Sequence, residues 1–261
     1  MNTGTFNSLA DAAAGFVVML ARIGCIVVFA PPFSARAVPM QVKMVFAVFL
    51  ALAMQPVVRL PGVSLLEPFA YAMLLAGEMV YGTVLGIAAT TVFWSVQMAG
   101  QIAGYQMGFG MVNALDMNLG AQVSLIDHAL YVFAILVLLS MSGHHWLIEA
   151  IQRSYQVLPV GGGGIRGALA ERLLRLGADS IAIAVRIAAP ICITMLLINV
   201  VLGIVARTMP QINIFIVGFP LQIGLGLLTL GLVSGVFVNL LMQLFTRVPS
   251  FVEQTARAAG T

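Results

Sequence analysis

Two stretches decide the fold: IAIAVRIAAPICITMLLINVVLGIV from Ile181 to Val205, and IFIVGFPLQIGLGLLTLGLVSGVFVNLLMQLF from Ile214 to Phe245. Each exceeds the roughly 20 mainly apolar residues that a membrane-spanning helix needs. Together they carry one charge, Arg186. Arg207 and Pro210 close the first, and the short segment Pro210-Gln211-Ile212-Asn213 leads into the second. The rest of the chain has the same character. Of 261 residues, 61% are hydrophobic and only 8% charged, against about 25% charged in an ordinary soluble domain. Such a chain has too few charges to cover a water-facing surface. A soluble enzyme, a disordered chain and a disulfide-stapled secreted domain are all excluded.

Working outward, four more apolar runs precede these two. The first is Leu9 to Ala30, with Arg22 inside it and Pro31-Pro32 ending it, since a proline ring disfavours helix at the preceding residue. The second runs from Val38 to Val58, and the third from about Leu66 to Gln101. The fourth runs from Ser124 to Leu158 and stops at Pro159 and the glycine run Gly161 to Gly164. The charged stretch Ile165 to Asp179 has a helical pattern and merges into the fifth. The sequence therefore predicts an all-α, polytopic membrane-type protein of about six hydrophobic helices, with a polar tail from Arg247 onward. If each run crosses, the larger share of Lys and Arg lies on the side of both chain ends, which the positive-inside bias assigns to the cytoplasm. The net charge of +3 is spread at the ends of apolar runs, a membrane pattern rather than a nucleic-acid one. The start lacks the basic region of a signal peptide.

Three features carry functional weight. Glycines recur four apart at Gly82 and Gly86, at Gly100, Gly104 and Gly108, and at Gly231 and Gly235. Such spacing puts glycines on one helix face, where another backbone can approach closely, either within the chain or from a partner subunit. Charges lie in or beside the apolar runs at Glu78, Asp127, Arg186 and Arg207. A charge at bilayer depth is costly and faces a bundle interior, a partner or water. Structural ion pairs are the plain reading, and snorkelling to the interface or a relay through Glu78, Asp127 and His128 are the alternatives. Finally, Gly104 to Gln122 reads GYQMGFGMVNALDMNLGAQ, neither a clean helix nor a hydrophilic loop. Irregular backbone at membrane depth needs burial in protein or a cavity to line, and methionines give it an adaptable surface. Cys25 and Cys192 lie in apolar runs and form no metal or redox motif. No phosphate loop, nucleophile elbow or zinc motif is present, so neither an enzyme nor a cofactor is expected.

The stretch Pro210-Gln211-Ile212-Asn213-Ile214-Phe215-Ile216-Val217-Gly218-Phe219-Pro220-Leu221 resembles the signature of the FliR family of flagellar type III export-gate proteins. Other elements follow in the same order over nearly the whole chain: Arg22, then Pro31-Pro32-Phe33, Val38-Pro39 and Lys43; Gly77-Glu78 with Gly82 and Gly86; Ala99-Gly100-Gln101 with Gln106-Met107-Gly108; and Gly143-His144 followed by Leu158-Pro159-Val160-Gly161. The resemblance implies a subunit that joins FliP and FliQ in a helical export gate of the inner (cytoplasmic) membrane, at the flagellar basal body. FlhB and other export and basal-body components are partners there, and unfolded flagellar proteins are the transient cargo. Nucleic acid is not a partner. The resemblance implies a FliP-like part over residues 1–180, a FliQ-like helical hairpin over 181–246 and a tail over 247–261. It also implies that segment 104–122 plugs the closed pore. Gly104, Met107, Phe109, Met111 and Met117 are then the plug residues, with the bulky ones facing the pore. Pro210, Gln211, Asn213 and Pro220 shape the hairpin turn. In such a gate, helices that look transmembrane need not cross lipid, which undercuts the side assignment above. A homologous injectisome subunit and a stand-alone secondary transporter are the alternatives.

Overall fold

A computed structural model of the chain describes residues 3–31, 33–34, 38–56, 58, 68–109, 125–162, 167–211 and 213–260. Among the described residues there are eight α-helices and no strand: α1 (Thr3–Phe29), α2 (Met40–Met54), α3 (Pro68–Gln106), α4 (Leu125–Ser140), α5 (Gly143–Val157), α6 (Gly167–Thr208), α7 (Ile214–Phe245) and α8 (Val248–Gly260). Four stretches are long and apolar enough to cross a membrane, and a fifth is added if α4 and α5 count as one broken span. The fold is that of an all-α polytopic membrane protein.

Prolines and glycines set the helix ends. Pro68 opens α3, where its missing N–H is one of the donors a helix start leaves unpaired anyway. Gly108 adopts a φ of 89° just past the end of α3, the left-handed conformation that terminates helices and that glycine adopts without strain. The charged stretch and the fifth run merge, as expected, into a single helix of 42 residues with Pro190 inside it. Two expectations are corrected. The fourth run is not one helix: it bends by 77° between α4 and α5, where Ser142 takes a left-handed φ of 56°. The polar tail is α8, an amphipathic helix that buries Val252, Thr255, Ala256 and Ala259 and packs along α5.

Packing divides the chain into two compact units, each discontinuous in sequence. Unit 1 comprises Met1–Thr91, Ser142–Gly177 and Phe245–Thr261; unit 2 comprises Val92–Met141 and Ala178–Leu244. Both α3 and α6 contribute to the two units because they are longer than one packed layer requires.

In unit 1, α1 packs on α2 and lies against α3 through glycines. A Cβ on Gly82 would sit 2.5 Å from the Arg22 carbonyl oxygen and 2.9 Å from Arg22 Cα; one on Gly86 would sit 2.8 Å from Phe29 Cβ. The two backbones therefore meet with only hydrogen atoms between them. Val18, Ile23 and Val27 on α1 and Leu85, Ala88 and Ala89 on α3 are buried. Across α5 and α8, Arg153 reaches Glu253 at 3.8 Å.

Unit 2 uses the same device. A Cβ on Gly100 would sit 2.5 Å from Asp127 Cα, so α3 and α4 are in backbone contact. Phe93 meets Tyr131 edge-on at 5.9 Å between ring centroids, and Phe133 stacks on Phe237 at 5.7 Å. The α6–α7 hairpin is tied by Gln222 Nε2 donating to Asn199 Oδ1 at 2.7 Å and Thr229 to Thr194 at 3.4 Å.

The glycines thus fall into two groups. Gly231 and Gly235 have no atom within 4 Å of an added Cβ, so among the described residues nothing packs closely on them. Gly100→Ala should destabilise the folded chain by about 1–3 kcal/mol through overpacking. Gly231→Ala should leave it unchanged or stabilise it by up to about 1 kcal/mol through helix propensity. Thermal unfolding of the purified protein in detergent checks both. Equal tolerance of the two substitutions would reject the close α3–α4 contact.

Candidate functional site

The charged centre of unit 1 is built by α1, α3 and the end of α5. Arg22 and Glu78 are 0% and 1% exposed. The guanidinium forks onto the carboxylate: Nε donates to Glu78 Oε2 at 2.5 Å and Nη2 to Oε1 at 2.9 Å. Its third edge is used as well, since Nη1 donates to the Leu158 carbonyl oxygen at 2.7 Å. Leu158 closes α5, and the last carbonyls of a helix have no partner within it. The arginine caps that helix from another element. Gly161 N–H donates to Glu78 Oε1 at 2.9 Å, and Gly161 takes a φ of 78° there. The Tyr155 ring lies 4.4 Å under the guanidinium carbon, and its hydroxyl donates to the Met19 carbonyl oxygen at 3.0 Å. Every polar edge of the pair is satisfied, which is the condition for a buried ion pair to be tolerated. The arrangement is a lock between chain segments, with no open position for a reacting group.

The second centre lies in unit 2, where α3 ends and residues 110–124 begin. Met107 is fully buried. Its side chain occupies the space beside Gly226, where a Cβ would fall 2.6 Å from Met107 Cε. Gly108 lies against the Phe219 ring, 3.0 Å from where its Cβ would be. Gly104 is buried and Phe109 half-buried. Met111 and Met117 lie outside the described residues. Within this chain Met107 therefore seats the start of the segment against α7. The reason is geometric: Gly226 leaves a socket of methionine size on α7.

The other expected residues fall as follows. Asp127 is half-buried in the first turn of α4, where a helix start favours an acid, and it accepts from Gln101 Nε2 at 3.3 Å. Arg186 and Arg207 are exposed on this chain rather than buried. Arg207 stands in the last turn of α6, the favourable end for a cation. In the hairpin turn Pro210 and Gln211 are exposed, and the Asn213 carbonyl accepts from Ile216 N–H at 3.1 Å to start α7. Pro220 lies inside α7, beyond the turn, so it frees the Ile216 carbonyl within the helix instead of shaping the loop. Reading the sequence missed the partner of Glu78. The available signal was Arg22, the sole charge in the first apolar run from Leu9 to Ala30 apart from Asp11 near its start.

The fold and these centres define a polytopic helical membrane protein whose buried charges brace the structure. The model of the bacterial export proteins, family 1, matches residues 13–248, and the chain belongs to that family. It is 33% identical to the flagellar biosynthetic protein FliR of Bacillus subtilis (strain 168), over 86% of this chain and 87% of that one. It is 30% identical to FliR of Pectobacterium carotovorum subsp. carotovorum, over 94% of each chain, and 29% identical to FliR of Escherichia coli (strain K12), over 80% and 79%.

Removing one member of the buried pair leaves the other charge unpaired. Glu78→Ala should therefore cost about 3–5 kcal/mol and collapse the yield of folded protein. The double change Arg22→Met with Glu78→Leu should recover much of the loss, because no uncompensated charge remains. Size-exclusion profiles and thermal unfolding of the three variants check this; a double variant no better than Glu78→Ala would show that the pair's hydrogen bonds to Leu158 and Gly161 outweigh its desolvation.

Proposed function

We propose that this protein is a core, non-enzymatic subunit of a flagellar protein-export gate in the bacterial inner membrane. In this reading it forms with FliP and FliQ the channel through which unfolded flagellar proteins pass, with FlhB associated. Segment 104–122 plugs the closed channel. The observation that carries the reading is the uncovered apolar surface of the α6–α7 hairpin in a chain of the export family. Only 33% of the spanning window of α6, and 17% of that beginning in α7, is buried inside the chain. Ile193, Leu196, Leu197 and Val200 on α6 and Leu228, Leu232 and Val236 on α7 are all exposed. Apolar patches of this extent mark contact with another protein or with a membrane, and the open Gly231 and Gly235 leave room there for another backbone. The plug role is supported by the rooting of the segment: Met107 and Gly108 seat its start on α7, so the remainder has a fixed point of departure.

Deletion of the gene, complemented by the intact copy, should abolish hooks and filaments seen by electron microscopy and restore them; normal flagella in the deletion strain would sink the export reading. Within the gate, removing residues 111–117 while keeping the Met107 anchor should let small ions leak through the membrane while export partly survives. Membrane conductance at the intact level would count against the plug.

A further inference from the structure

Unit 2 holds a cleft of about 480 Å³ between the end of α3 and the α6–α7 hairpin, within the range of about 300–1,000 Å³ typical of ligand sites. Its polar lining is unusual for helices of this composition. Tyr105 and Gln106 come from α3, Asn199 from α6 and Gln222 from α7, and among the described residues no charged one lines it. Gln222 Nε2 donates to Asn199 Oδ1, a bond that uses neither the Asn199 amide N–H groups nor the Gln222 carbonyl oxygen. Tyr105 is 67% exposed. Gly203 and Ala206 are also in the lining, and an added Cβ on Gly203 would meet nothing within 4 Å.

We propose that this cleft is a contact site for an extended, unfolded polypeptide, held by its backbone rather than by its side chains. The proposal rests on the export-gate reading. A carboxamide presents the same donor and acceptor as a peptide unit, so Asn199 and Gln222 match a backbone whatever its sequence. With no charge among the described lining residues, acidic and basic segments are treated alike. Tyr105 offers an apolar ring with a polar tip, suited to side chains of mixed character. Other occupants fit poorly. A lipid chain would leave the amides without a hydrogen-bond partner. An anion would find no cation among the described lining residues.

The test uses the intact gate complex in cells and an export substrate arrested in transit by a folded domain fused to its C-terminus. A benzophenone amino acid replaces Tyr105, with the same replacement at Leu232, on the exposed apolar face of α7, as control. Cross-links from position 105 to the unfolded part of the substrate, absent from position 232, are expected. Cross-links from 105 only to partner subunits, while the substrate still co-purifies with the complex, would overturn the cleft and leave the gate standing. A substrate that never co-purifies would overturn both. Gly203→Phe puts a large side chain in the cleft lining, at a position where a Cβ meets nothing within 4 Å, and should lower the export rate severalfold at unchanged complex yield, whereas Gly203→Ala should export normally. Normal export by Gly203→Phe would also overturn the proposal.

Discussion

The buried pair of Arg22 and Glu78 is the constraint on which unit 1 depends. Either charge alone at membrane depth costs about 2.5–3.5 kcal/mol on insertion scales. Pairing lowers that cost only if the remaining donors and acceptors also find partners. The guanidinium therefore needs a carbonyl, and the carboxylate needs a further N–H. Leu158 supplies the first and Gly161 the second. Both come from a chain turn that must lie beside α1 and α3, so satisfying the charges dictates where α5 ends and how the chain leaves it. Gly161 adopts its positive φ at that turn, a conformation with little strain for glycine.

The glycines of α3 belong to the same constraint. Gly82 stands one helical turn beyond Glu78 and lies against the Arg22 backbone. A side chain at position 82 would hold α1 away from α3, and the fork between Arg22 and Glu78 would open. Close backbone approach and ion pairing are thus one device: small residues bring the helices together, and the charges fix their register. In unit 2 no ion pair between helices is found among the described residues. Register there comes from the Gly100–Asp127 contact, the Gln222–Asn199 amide pair and the Met107 socket on Gly226.

Much of this was legible in the sequence. Low charge and long apolar runs dictate a helical membrane fold regardless of tertiary detail, and Glu78 was marked by its cost. What remained hidden required knowledge of the third dimension. The break at Ser142 has no proline or glycine pair to announce it, only Ser142 itself in a left-handed conformation before Gly143. The tail reads as polar because its buried face is narrow: Val252, Thr255, Ala256 and Ala259 form a stripe of modest residues that gains meaning only against α5. Arg186 and Arg207 carry the same cost argument as Glu78, yet they are exposed on this chain. Hydropathy registers that a charge lies in an apolar run, but not which way its helix turns it. Met107 could be read equally as a pore residue or a core residue, since methionine serves both, and its contact with Gly226 could not be read from the sequence.

Glycine is used in two opposite ways, and the contrast bears on what the chain does. In α3, Gly82, Gly86 and Gly100 are already spent on contacts inside the molecule. In α6 and α7, Gly203, Gly231 and Gly235 face open space, although a glycine inside a helix costs roughly 0.5–1 kcal/mol relative to alanine. The first group is explained by the fold of the single chain; the second is not. Open glycines on the same hairpin whose leucines and valines lack partners make sense if another backbone arrives there. Unit 1 holds the ionic lock and the filled glycine contacts, yet Met44 and Phe49 on α2 are exposed there too. Uncovered apolar side chains are therefore common to both units, and on the α6–α7 hairpin the open glycines stand beside them.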